Sequence, residues 1–146
     1  MDGMVNGAIE LDMPSSPRYV SLARLITSSL ARGLNFSEEG VDDLKIVISE
    51  MCTNAIIHCD LEREEAGRVN VKYIPGKDCI TIEVQDHGQG FDPGCVGDFE
   101  DGREAGKGFG IPLIKSLVDE FELESNVDQG TTIRVTKYEQ SASGSA

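Results

Sequence analysis

Two short runs of alternating apolar and polar residues, held apart by a turn sequence, constrain this chain most. Val69, Val71 and Tyr73 alternate with polar neighbours, and so do Ile80, Ile82 and Val84. Pro75-Gly76-Lys77-Asp78 lies between them, a set of residue types that favours chain reversal. A period of two marks a half-buried strand, and a short turn between two such runs pairs them antiparallel. One face of that hairpin needs a cover.

The cover is readable in the helical stretches. Ser15 or Ser16 caps a helix from Pro17 to about Arg32, with Val20, Leu22, Ala23, Leu25, Ile26 and Leu30 as its apolar face and Gly33 as its stop. Ser37 opens a second helix, and Glu38 and Glu39 suit the positive end of its dipole. Along it, Val41, Leu44, Ile48, Met51, Ala55 and Cys59 form one stripe. A third helix is expected over Ile111 to Phe121, with Pro112 tolerated in its first turn. Ala8 to Met13, Phe121 to Ser125 and Thr131 to Tyr138 read as further strands, the last two joined at Asp128-Gln129-Gly130. Arg63 to Gly67 is a charged turn. The expected fold is α+β: a two-layer sandwich with a mixed, mainly antiparallel sheet and helices on one face. Residues 1–140 are expected to form one domain, with 141–146 a disordered tail.

Composition narrows the function. Hydrophobic residues make up 39% of the 146, enough for one core. The formal net charge is -13. Such a surface repels phosphate backbones, which disfavours direct nucleic-acid binding, and suits a partner with a basic surface. There is no Trp to serve as a base-stacking platform. Cys52, Cys59, Cys79 and Cys95 show neither CxxC pairing nor zinc spacing. Reduced thiols and a cytoplasmic location are expected. The N-terminus does not read as a signal peptide, and no run approaches 18 apolar residues, so no membrane span is expected.

Chemistry-bearing residues fall in three places. Glu50, Asn54 and His58 are spaced four apart and share one helix face beside the apolar stripe. On a solvated edge they need no explanation. Beside a phosphate site, Asn54 offers an oxygen to Mg²⁺ and Glu50 a base. Asp86-His87-Gly88-Gln89-Gly90-Phe91 begins where a strand ends. The aspartate can accept from an exocyclic amine such as adenine N6, and the glycines let a backbone approach a ligand. Gly106-Lys107-Gly108-Phe109-Gly110 precedes the third helix, where exposed N–H groups favour phosphate. Each glycine motif alone is commonly a turn. Neither is a Walker loop or a dinucleotide fingerprint.

The order of these motifs, with Gly130-Thr131-Thr132 in a late hairpin, resembles the Bergerat ATP-binding fold shared by type II topoisomerases, Hsp90, MutL and histidine kinases. The segment DDLKIVISEMCTNAIIH is most similar to the bacterial anti-sigma factor serine kinases. That resemblance implies an ATP-dependent serine/threonine kinase using ATP and Mg²⁺. It implies Glu50 as catalytic base and Asn54 as the metal ligand. Asp86 would read adenine, helped by Thr131 or Thr132 and a water. Gly88 and Gly90 would line the nucleotide, and residues from about Asp92 to Gly110 would form a lid. Within the lid, Gly108, Phe109 and Gly110 bind phosphate, and Arg103, then Lys107, approaches its outer end. The implied partners are a sigma factor and a STAS-like anti-sigma factor antagonist, with a homodimer using the first helix. The lid's acids, Asp92, Asp98, Glu100, Asp101 and Glu104, sit poorly beside phosphate unless they face solvent or a partner. A non-catalytic, ATP-ordered binding module is the alternative. A catalytic domain cut from a histidine kinase ranks last, because no phosphoacceptor-histidine helix pair accompanies it.

Overall fold

The computed structural model describes residues 7–60, 67–86, 110–126 and 130–139, with the backbone alone for 57–60 and 126. Strand β1 (Ile9–Pro14) leads through a short 3-10 turn at Pro17–Tyr19 into α1 (Val20–Gly33) and α2 (Glu38–Asp60). Then come β2 (Arg68–Pro75), β3 (Cys79–Asp86), α3 (Gly110–Leu117), β4 (Glu120–Asn126) and β5 (Gly130–Tyr138). The five strands form one sheet in the order β1-β2-β3-β5-β4, and every pairing is antiparallel.

Local chemistry sets the boundaries. The Ser16 side chain caps the 3-10 turn by accepting from the Arg18 N–H, and Ser37 Oγ accepts from the Gly40 N–H at 3.1 Å to cap α2. Gly33 is the last residue of α1 and not its left-handed stop. That conformation falls on Asn35, φ 70°, a residue type whose short polar side chain tolerates it. The third helix ends at Leu117, four residues before the expected Phe121. There the Asp119 N–H donates to the Thr136 carbonyl and the Asp119 carboxylate accepts from the Tyr138 N–H, so the chain turns into β4 beside β5.

Alternation divides the sheet. Val69, Val71, Tyr73, Ile80, Ile82, Val84, Ile133 and Val135 are buried under the helices. The other face carries ion pairs across neighbouring strands: Asp12 with Arg68, Glu10 with Lys72, and Glu83 and Glu122 with Arg134. Exposed pairs of this kind contribute only about 0–1 kcal/mol each. The core contributes far more. Val41, Leu44, Ile48 and Met51 of α2 are fully buried, at roughly 1.5–3 kcal/mol per side chain. Val47, Cys52 and Ile56 join them, so the buried face of α2 is wider than the stripe read from sequence. Tyr73 ties α1 to the sheet: its hydroxyl donates to the Ala23 carbonyl at 3.0 Å and lies 3.0 Å from the Thr27 hydroxyl.

Two contacts fix the direction of α2: Lys137 holds Asp43 beside the Leu117 end of α3, and Asn54 packs against Gly110 at the other end of α3. The Lys137 ammonium group donates to the Leu117 carbonyl at 2.8 Å and lies 3.7 Å from the Asp43 carboxylate. The start of α2 therefore sits at the sheet end marked by Lys137 and its register partner Ile80. Asn54 lies three helical turns further on, about 16 Å. Asp86 lies six residues beyond Ile80 along β3, about 20 Å. Both reach the opposite end of the molecule.

Candidate nucleotide site

At that end, four register partners form one row across the helix-facing side of the sheet. Val69 pairs with Asp86, Asp86 with Thr131, and Thr131 with Ser125. Directly opposed residues of an antiparallel pair share a face, with strands about 4.8 Å apart. Three of the four are polar and all are buried: Asp86 is 1% exposed, Thr131 3% and Ser125 7%. A carboxylate with so little water costs free energy unless hydrogen bonds or a ligand compensate it. Ser125 Oγ and Thr131 Oγ1 are 2.9 Å apart. Gly130, φ 92°, leads into β5 with a conformation that a side chain would strain. Thr132 points the other way, toward Glu122, Glu124 and Arg134 on the open face. Of the two threonines left open by the sequence, Thr131 is therefore the one beside Asp86.

Helix α2 supplies the second wall. Asn54 is 9% exposed, and α2 packs against β3, α3 and both neighbouring strands. Gly110, the first residue of α3, presses its backbone against the Asn54 amide: a Cβ there would lie 3.0 Å from both Oδ1 and Nδ2. Glycine makes room for that amide, and the contact fixes its position relative to the base of α3. Glu50, one turn earlier, is half-buried and borders a groove of about 410 Å³ lined also by Arg24, Asp42, Lys45, Ile46 and Ser49. Behind this wall, burial pushes the Cys52 thiol up to about 12.

The structure thus brings Asn54 together with Gly110, and Asp86 with Thr131, at one end of the fold. Gly88, Gly90, Arg103, Lys107, Gly108 and Phe109, the acidic lid residues and the His58 side chain lie outside the described residues. Ser125 was not singled out from sequence. The signal was present: alternation places it on the same face as Phe121 and Leu123, a polar residue where an apolar one is expected.

A buried aspartate at a strand end, a threonine beside it and a helix asparagine against a glycine are a recognisable set. Residues 13–137 match the histidine kinase-like ATPase domain family. The chain belongs to that family. Within it, this histidine kinase-like ATPase is 36% identical over 138 residues to the serine-protein kinase RsbW of Listeria monocytogenes, covering 89% of this chain and 86% of that protein. It is 34% identical over 139 residues to RsbW of Bacillus velezensis, covering 89% and 84%. These likenesses place it among the RsbW kinases. The solved structure of the RsbU and RsbW domains of a Mycobacterium tuberculosis protein superposes with a TM-score of 0.65 at 16% identity, covering 92% of this chain and 33% of that one. That similarity concerns the fold. Among the described residues, no helix is long and apolar enough to cross a membrane.

Proposed function

We propose that this RsbW-type serine/threonine kinase binds ATP with Mg²⁺, phosphorylates a serine of an anti-sigma factor antagonist, and sequesters a sigma factor in the cytoplasm. The observation that carries the reading is the buried Asp86–Thr131 pair at the sheet end reached by Asn54 of α2. In this reading Asp86 accepts from the purine's exocyclic amine. Asn54 would offer its side-chain oxygen to Mg²⁺, a hard cation that takes oxygen ligands. The bound ion and nucleotide supply charge neutralisation and the transferable phosphoryl group. Glu50 takes the proton of the attacking serine. The groove beside Glu50 gives a serine-bearing loop an approach. The net charge of -13 suits basic partner surfaces. Leu25 of α1 is 66% exposed and Leu22 is exposed beside it, which supports a homodimer contact on that helix. Gly88, Gly90, Gly108 and Phe109 are proposed to line the nucleotide, with Arg103 or Lys107 at its outer phosphate.

The test is phosphate transfer from labelled ATP to a co-encoded antagonist, with Glu50→Gln beside the parent. The parent should label a serine. Glu50→Gln should bind ATP within about twofold of the parent but transfer about 100-fold more slowly, the loss expected for a general base. Equal labelling by both would remove Glu50 from the base role, and no labelling by the parent would favour the binding module.

A further inference from the structure

The core-facing side of β5 carries Thr131, Ile133, Val135 and Lys137 in turn. Ile133 and Val135 belong to the core, yet the position that follows them is a cation. The Lys137 side chain is only 12% exposed. Lysine is rarely enclosed to that degree unless its charge is paired and its donors are used. Both conditions hold here. The ammonium group donates to the Leu117 carbonyl at 2.8 Å and lies 3.7 Å from the Asp43 carboxylate. It meets α3 at the negative end of the helix, where carbonyls lack partners within the helix itself. One cation thus joins the first turns of α2 to the last turn of α3.

Helix α3 has eight residues, a length of about 12 Å. Its other end is Gly110, whose backbone packs on the Asn54 amide. The two helices are therefore joined at both ends of α3, through Lys137 at one and directly at the other. Between these ends, Ile111 and Ile114 are buried. Apolar burial is non-directional and resists sliding of one helix along another only weakly; polar contacts at the ends set the axial position. The Asp119 N–H bond to Thr136 anchors the chain beyond the helix, whereas the Lys137 bond acts on the helix itself. Lys137 lies six residues from Thr131 along β5, about 20 Å, so any influence on the site passes through the helices. We propose that Lys137 is a positioning residue: by joining α2 to the end of α3 it keeps Gly110 seated on the Asn54 amide, and so holds that amide where it meets the metal of a metal–nucleotide complex. Asp86 and Thr131 sit on strands paired to each other and do not need α3 for their place. The metal-dependent part of nucleotide affinity therefore depends on Lys137, and the metal-independent part does not.

This role rests on the reading of Asn54 given above, and the test separates the two. ATP binding is measured by titration calorimetry, once with Mg²⁺ and once with EDTA, for the parent, Lys137→Met and Lys137→Gln. Neither replacement carries the charge that spans Asp43 and Leu117. Each should weaken Mg-ATP by about tenfold, the loss expected when a group supporting a metal ligand is removed, and leave metal-free ATP within about twofold of the parent. In an Asn54→Ala background, Lys137→Met should have no further effect on Mg-ATP, because both changes remove one interaction. A merely structural lysine would weaken both forms of the nucleotide together, and its effect would add to that of Asn54→Ala. Either of those results, or parent-like Mg-ATP affinity in whichever variant folds, overturns the role of Lys137 alone. A parent that binds ATP no more tightly with Mg²⁺ than without it overturns the reading of Asn54 and this role with it.

Discussion

The backbone of Gly110 packs closely against the side-chain amide of Asn54: a Cβ on the first would stand 3.0 Å from both polar atoms of the second. The base of α3 and the middle of α2 are therefore adjusted together. Gly110→Ala tests that coupling. Alanine favours a helical position by roughly 0.5–1 kcal/mol over glycine, so thermal stability should hold. The amide must move by a few tenths of an ångström, and affinity for Mg-ATP should fall about five- to tenfold. Titration calorimetry beside a melting curve distinguishes the two effects. Parent-like affinity would mean that the amide position does not matter.

Asp86→Asn keeps shape and removes the acceptor-only character of the carboxylate. An asparagine there can turn its amide nitrogen to the base. ATP affinity should drop at least about tenfold, and the ATP-induced rise in melting temperature should shrink with it. An undiminished shift would place the base elsewhere.

Tyr73→Phe removes the hydroxyl that joins β2 to α1. Thr27 Oγ1 remains 2.8 Å from the Ala23 carbonyl and can still satisfy it. The loss should therefore stay near the low end of a buried hydrogen bond, about 1 kcal/mol in urea denaturation. Nucleotide affinity should not change. A loss above about 3 kcal/mol would show that the hydroxyl does more than join two elements.

Alkaline pH should weaken the fold through two buried groups. Burial raises the Cys52 thiol from 9.0 to about 12, and the Tyr73 hydroxyl from 10.0 to about 12. Folded protein keeps these protons after the unfolded chain has released them. Stability from each group is full below its unfolded value and is lost as pH rises from about 9 or 10 toward 12. The slope approaches about 1.4 kcal/mol per pH unit for each group within that window. Denaturation midpoints at pH 8, 9.5 and 10.5 should decline, and Cys52→Ala should flatten the decline. A flat parent profile across those values would contradict the burial of both groups.

Much of the site was legible because its residues obey simple periods. Asp86 at the end of an alternating run, and Asn54 four positions after Glu50, declare their faces without knowledge of the fold. Thr131 and Thr132 were left open although alternation puts Thr131 on the face of Ile133 and Val135; what only register with β3 adds is its place directly opposite Asp86. The end of α3 was obscured because Phe121 continues the helical spacing of Ile114 and Leu117 while packing against the core from β4. Periodicity cannot see the Glu120–Thr136 pairing that turns the chain there. Ser125 was missed for a related reason. Its interest lies wholly in its neighbour across the strand.

Strand β5 comes last in the described chain yet sits inside the sheet, between β3 and β4. A nascent chain still lacking it would leave β3 with a bare hydrogen-bonding edge. It would also present Asp86 with no threonine alongside. The proposed pocket is thus a late product of synthesis: β5 must leave the ribosome before its Asp86–Thr131 wall is complete. Premature termination yields an adhesive fragment rather than a weak enzyme.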